Sequence, residues 1–128
     1  MRVDLYKGVL TDPNCYPANT IIETFKEYLD KGFFWSFGRD VPYHIPPKMN
    51  DYSVRHIHII SCKKYQQCQK DNIRLYDRTS DKHIVYARSP IDDNHYLLIA
   101  IINPEAHEVA ENMNFMHRIY DICRNHFG

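Results

Sequence analysis

The chain has 128 residues, 44% of them hydrophobic, which is enough apolar material for one core of ordinary size and too little length for two independent domains. Sixteen basic side chains balance sixteen acidic ones, and a net charge of zero argues against a protein that grips free nucleic acid through bulk electrostatics. The opening MRVDLYKGVL lacks the apolar stretch of a signal peptide, and the longest apolar run, Tyr96 to Ile102, is far too short to span a bilayer, so a single soluble domain over residues 1–128, cytoplasmic and without membrane contact, is expected.

The first predicted element is a helix over about Thr20 to Lys31. Thr20-Ile21-Ile22-Glu23 reads as a capping box, Ile21, Ile22, Phe25, Tyr28 and Leu29 fall on one stripe, and Gly32 ends it. From Phe33 to Tyr52 aromatic residues alternate with Gly38, Pro42, Pro46 and Pro47, a composition that predicts an ordered loop without regular structure. Val54 to Ile60 alternates as a strand, with His56 and His58 on one face and Arg55, Ile57 and Ile59 on the other. Further strands are expected at about Ile73 to Tyr76, His83 to Arg88 and Tyr96 to Ile102. Arg78-Thr79-Ser80-Asp81 and Asp92-Asp93-Asn94 supply the turn chemistry between them, and such short connections imply antiparallel neighbours.

Tyr96 to Ile102 is apolar throughout, which places it centrally with both faces covered. Asn103-Pro104-Glu105 is a helix start, and a second helical stretch from about Asn114 to Phe127 carries Phe115, Met116, Ile119, Tyr120 and Cys123 on its buried side. The expected class is α+β, an antiparallel sheet flanked by an N-terminal helix and C-terminal helices. Cys15, Cys62, Cys68 and Cys123 are too scattered for a zinc knuckle or a redox pair and are read as reduced. Charge is uneven along the chain. Residues 48 to 88 carry nine basic and four acidic side chains, while residues 89 to 128 carry two and six. A basic middle beside an acidic tail suits a polyanion contact on one face, or is only a solvated surface.

Several blocks resemble the YafO family of type II toxin-antitoxin toxins: Phe37-Gly38-Arg39-Asp40, His56-Ile57-His58, Arg78-Thr79 with Asp81, His83-Ile84-Val85-Tyr86, Leu97-Leu98-Ile99-Ala100-Ile101, Pro104-Glu105 with His107, and Met116-His117. They occur in the family's order with similar spacing, from about Phe37 to Ile122. The resemblance implies a ribosome-dependent endoribonuclease, an mRNA interferase, that cleaves mRNA during translation and inhibits protein synthesis and growth. It also implies a RelE/ParE-like fold, and as partners a neutralising cognate antitoxin, the mRNA and the ribosome, through its large subunit. No cofactor is expected.

RNA cleavage without a metal needs a base for the 2′-hydroxyl proton, an acid for the departing 5′-oxygen and a cation for the charge developing on phosphorus. His56 and His58 are the first candidates, two imidazoles on one strand face; the bland alternative is a pair of hydrogen-bonded strand residues, and the sharp one a zinc site completed by His83 or His107. Arg78 and Asp81 bracket a turn, where an arginine can pair with phosphate and an aspartate orient a histidine. His83 shares a strand face with Val85 and Ala87 and is a further catalytic candidate, either as a supporting group or as a rim residue. Glu105 and His107 sit in the first turn of a helix, where anions are favoured, and are catalytic candidates; capping alone explains Glu105, whereas His107 has no such local duty. His117 beside Met116 is read as lining the packed face.

Arg39 and Asp40 most simply form a local ion pair, with RNA contact as the alternative. Phe33, Phe34, Trp35 and Phe37 are candidates for base stacking, although a core or antitoxin-binding role is the plainer reading. Lys63, Lys64, Lys70 and Arg88 are candidate RNA or ribosome contacts, or merely solvated cations. The reading from another class is a non-catalytic inhibitory module that acts on the ribosome or another target by occupancy.

Overall fold

The computed structural model describes residues 1–6, 18–102 and 106–128, without the side chains of residues 18, 19 and 107. In chain order the elements are β1 (Arg2–Leu5), α1 (Ala18–Lys31), β2 (Phe37–Pro42), β3 (Arg55–Ile59), α2 (Cys62–Lys70), β4 (His83–Arg88), β5 (His95–Ile102), α3 (Ala106–Ala110) and α4 (Met113–Phe127), with 3-10 turns at Pro47–Tyr52 and Leu75–Asp77. The expected α+β class holds. Among the described residues the five strands join one sheet in the order β1-β5-β4-β3-β2.

β5 is an interior strand, between β1 and β4, and Leu97 to Ile102 are buried on both faces, as their unbroken apolar run requires. On one face Ile57, Ile84, Tyr86, Leu98 and Ile101 pack against Ile21, Phe25 and Tyr28 of α1. On the other, Val85, Ala87, Leu97 and Ile99 meet Met116, Ile119, Ile122 and Cys123 of α4, together with Tyr43, Met49 and Tyr52. Between β4 and β5 the register shifts by one: Val85 faces Ala100 but Tyr86 faces Leu98, which leaves Ile99 as the extra residue of a bulge. Asn112 caps α4 by accepting from the amides of Asn114 and Phe115 at 2.9 and 3.2 Å. Cys62, Cys68 and Cys123 are free thiols, and burial pushes that of Cys123 up to about 12.

Several expectations need correction. β1 was not foreseen, and it pairs parallel to β5, with Arg2 opposite His95 and Leu5 opposite Leu98, so the sheet is mixed rather than antiparallel throughout. Four residues with Val3 and Leu5 in alternation are too short for a periodic signal. α1 is described from Ala18, which puts Thr20 within the helix, exposed, instead of at the cap. The aromatic and proline-rich segment contains an edge strand, β2, antiparallel to β3 with a register shift between Phe37 and Asp40. Pro42 is tolerated because it lies at the end of an edge strand, where its missing N–H breaks no ladder.

Ile73 to Tyr76 is not a strand. Leu75 and Tyr76 are 37% and 59% exposed, and Arg74 pairs with Asp77 at 2.9 Å across a single 3-10 turn. The lysine-rich segment after β3 forms α2, capped by the Ser61 hydroxyl on the Lys64 amide at 3.1 Å. The predicted helix start at Asn103-Pro104-Glu105 lies outside the described residues; α3 is described from Ala106.

Candidate active site

β3 and β4 pair with His58 opposite His83 and His56 opposite Val85. Strand alternation therefore turns all three imidazoles to the α4 side of the sheet. The ring centroids lie 4.1 Å apart for His58 and His83, 4.8 Å for His56 and His83, and 5.6 Å for His56 and His58. His58 and His83 are buried, 2% and 1% exposed, while His56 is half-buried and stacks on Tyr43 with centroids at 4.2 Å and planes within 13°.

One residue sets the protonation of two of these rings. The Ser80 amide donates to Nδ1 of His58 at 2.8 Å, so the proton of neutral His58 resides on Nε2. A carbonyl only accepts, so Nε2 of His83, 3.0 Å from the Ser80 oxygen, carries the proton there and leaves Nδ1 as the basic nitrogen. His58 thus offers a donor and His83 an acceptor, the complementary states an acid and a base need. The three side chains also offer nitrogens within 4.8 Å of one another, a spacing compatible with a metal ion. For His83 the bond to Ser80 is the support a metal-ligating imidazole usually has. For His58 it is the reverse, since coordination through Nε2 would push the proton onto Nδ1 and against the Ser80 amide.

The other predicted residues separate into groups. Asp81 is exposed, and its carbonyl accepts from the Ala106 amide at 3.1 Å, which ties the start of α3 to the strand that carries His83. Glu105 and the His107 side chain lie outside the described residues. Arg78 stays close but is engaged structurally: its Nε donates to the Ile73 carbonyl at 3.1 Å and its guanidinium lies 5.8 Å from the centre of the Tyr65 ring. Lys63, Lys64 and Lys70 project from α2, all exposed, and Lys64 Nζ donates to the Thr79 carbonyl. The basic middle of the chain is in large part this crossover from β3 to β4, which leads into the Ser80 turn.

Arg88 lies on the other face, in a cleft of about 360 Å³ with Asp40, Arg55 and Tyr86. Arg39 and Asp40 do not pair with each other. Arg39 donates to the Tyr76 carbonyl at 2.6 Å and sits 4.2 Å over the Tyr76 ring, whereas Asp40 receives Arg55 Nε at 2.9 Å and the hydroxyls of Tyr28 and Tyr86 at 2.7 Å each. Successive residues of an edge strand point to opposite sides, which is why neighbours in sequence found different partners. His117 does not line the packed face as expected: it is exposed, next round α4 from buried Met116.

A family model described as toxin YafO of a type II toxin-antitoxin system matches residues 26–127. The chain belongs to the YafO toxin family. It is also similar to the mRNA interferase toxin YafO of Escherichia coli strain K12, with 37% identity over 87 residues, 65% of this chain and 64% of that relative's length. No solved structure matches. Among the described residues no helix is long and apolar enough to cross a membrane.

Sequence reasoning missed several parts of this candidate site and of its support. Ser80 was visible only as turn chemistry, and Tyr43 only as one aromatic among many. The hydroxyl of Tyr43 is buried with no hydrogen-bond partner among the described residues, and burial pushes its pKa up. A second cluster was not foreseen at all. Asp4 Oδ2 accepts from Nε2 of His95 and of His126, both at 2.8 Å, while Arg2 Nε meets Oδ1 at 3.0 Å. Burial alone would raise the Asp4 pKa, but these donors outweigh it and hold the carboxyl at about 2. The cluster joins β1, β5 and the last turn of α4, and its two histidines stand 91 and 122 positions from Asp4, so no local pattern announces it.

Proposed function

We propose that this protein is a ribosome-dependent endoribonuclease that cleaves mRNA during translation, inhibits protein synthesis and growth, and is neutralised by a cognate antitoxin in the cytoplasm. The observation that carries this reading is the convergence of His56, His58 and His83 on one sheet face, with Ser80 holding two of the rings in complementary tautomers. Family membership and the name of the Escherichia coli relative support the reaction class.

In the proposed reaction His56, the ring with most access to solvent, meets the RNA and exchanges the proton of the attacking 2′-hydroxyl or the departing 5′-oxygen. Nδ1 of His83 and Nε2–H of His58 stand behind it as acceptor and donor. Their burial makes them positioning residues in this conformation, able to orient His56 and share its charge. Lys64 and the other cations of α2 meet the phosphate and ribosomal RNA, Arg78 holds the turn that leads to Ser80, and Asp81 borders the site beside α3, with Glu105 and His107 as further candidates from the sequence. Acid and base residues each supply about 10²–10⁴-fold, so a small protein needs few of them if the ribosome, through its large subunit, holds the message in line. This division of labour requires no metal and no large basic groove.

The burial of His58 and His83 also favours the second reading, a non-catalytic module in which the histidines are structural. Primer extension on a defined mRNA, with and without initiated ribosomes, separates the two. The nuclease reading expects discrete cuts only with ribosomes, reduced about 100-fold or more in a folded His56→Ala protein and retained in a chelator. Growth arrest without cuts under any condition would refute it in favour of occupancy.

A further inference from the structure

Next to the histidines, but on the far side of the Ser80 turn, a cleft of about 460 Å³ is lined by Trp35, Ile59, Ile60, Lys64, Ser80 and Lys82, with Ser36 and Ser61 at its margins. That volume lies in the range of sites for small organic ligands, about 300–1,000 Å³. Trp35 is 39% exposed although it is the most costly side chain to leave in water, and it is held edge-on against Tyr65 of α2 with centroids 5.9 Å apart. The indole is therefore fixed in place while part of its surface stays available. Lys64 is kept at the rim by its bond to the Thr79 carbonyl, and Lys82 rises from the start of the strand that carries His83. Among the described residues the lining contains two ammonium groups and no carboxylate.

We propose that this cleft is a nucleotide subsite for single-stranded RNA, in which a base stacks on Trp35 and its phosphate is met by Lys64 and Lys82. The choice of RNA as the ligand rests on the nuclease reading above. A rigid aromatic face beside cations is the sequence-tolerant way to hold a single strand, and the absence of any carboxylate suits a polyanion. The geometry also gives the subsite a purpose. Ser80, part of its wall, is the residue whose amide and carbonyl hold His58 and His83. A nucleotide bound here sits one residue's thickness from the histidine cluster, so the neighbouring phosphodiester is directed toward that cluster. The subsite supplies register along the message, and the ribosome supplies the rest of the alignment.

Trp35 is the only tryptophan in the chain, so its emission reports on this cleft alone. The probe is a five-nucleotide 2′-O-methyl RNA, which cannot be cleaved through the 2′-oxygen. Saturable quenching is expected, and the affinity of the Lys64→Gln, Lys82→Gln protein should fall about tenfold or more at moderate salt, with the salt slope reduced by about 1.4 for two lost phosphate contacts. With a fluorescein-labelled version of the same RNA read by anisotropy, Trp35→Ala should bind about tenfold more weakly, whereas Trp35→Phe keeps most of the affinity. No quenching by a protein that still cleaves mRNA on ribosomes would overturn the subsite and leave the nuclease reading standing. Quenching with lysine dependence in a protein that never cleaves would support the subsite and sink the nuclease reading. Quenching by a purified cognate antitoxin but not by RNA would overturn the proposal and assign the cleft to a protein partner.

Discussion

Asp40 offers the clearest way to separate a folding role from an RNA-contacting one. Its carboxylate, 17% exposed, joins four elements: it sits on β2 and receives Tyr28 of α1, Arg55 of β3 and Tyr86 of β4. The Arg55 side chain is 37% exposed, so solvent screening leaves that pair about 1 kcal/mol. The two phenols are 9% and 4% exposed, and a hydrogen bond from each to a charged acceptor contributes about 1.5 kcal/mol or more, since truncation leaves both hydroxyls buried without that partner. Burial, then the Asp40 charge, pushes the pKa of both tyrosines up, so they remain donors at any ordinary pH.

Asp40→Ala should therefore cost about 3–5 kcal/mol, a large part of the stability of an ordinary domain, and lower the melting temperature by about 10–15 °C. Asp40→Asn keeps a carbonyl acceptor and loses the charge, and should cost roughly half as much. Thermal unfolding by circular dichroism measures both, and primer extension at a temperature where the variants are folded measures cleavage. A melting temperature within about 2 °C of the parent, together with loss of cleavage, would refute this assignment and return Asp40 to the RNA surface.

Asp4 gives a pH prediction. Its folded pKa of about 2 lies below the unfolded value of 3.8, so its contribution is fully present above 3.8 and is lost as pH falls through about 2. Asp4→Asn should abolish that part of the acid limb, seen as a smaller loss of melting temperature between pH 4 and pH 2 than in the parent; parallel curves would show that the cluster is not coupled to folding. Gly38 lies against the Arg78 backbone, and a Cβ there would fall 2.0 Å from the Arg78 carbonyl oxygen. Gly38→Ala should destabilise by about 2–4 kcal/mol through forced displacement of backbone, and urea unfolding at parental stability would contradict the packing described here.

Elements that carry their own periodicity are legible in the amino-acid sequence by itself. The α1 stripe, the alternation around His56 and His58, the apolar run of β5 and the buried side of α4 each follow from spacing within one segment, because burial of one face selects that spacing. That both faces of β5 are covered follows equally from a run with no polar face to turn outward, although β4 and not β5 is the middle strand. Elements that depend on a distant partner are not legible in this way. β1 exists because β5 leaves an edge to pair with, β2 because β3 does, and neither has a length or pattern that marks it as a strand alone.

The same division runs through the site. Two histidines on one face of β3 were determined by a period of two, and that His83 shares a face with Val85 and Ala87 was determined by the same period in its own strand. That His83 lies opposite His58, rather than one step along, was decided by the antiparallel register, since a slip of one residue would have sent it to the α1 face. The partners of Arg39 and Asp40, the hold of Ser80 on two imidazoles, the cluster at Asp4 and the cleft beside Trp35 were likewise decided only by the tertiary structure. Each depends on atoms from segments far apart in the chain, and their meeting is fixed by sheet order and packing, which local spacing does not encode.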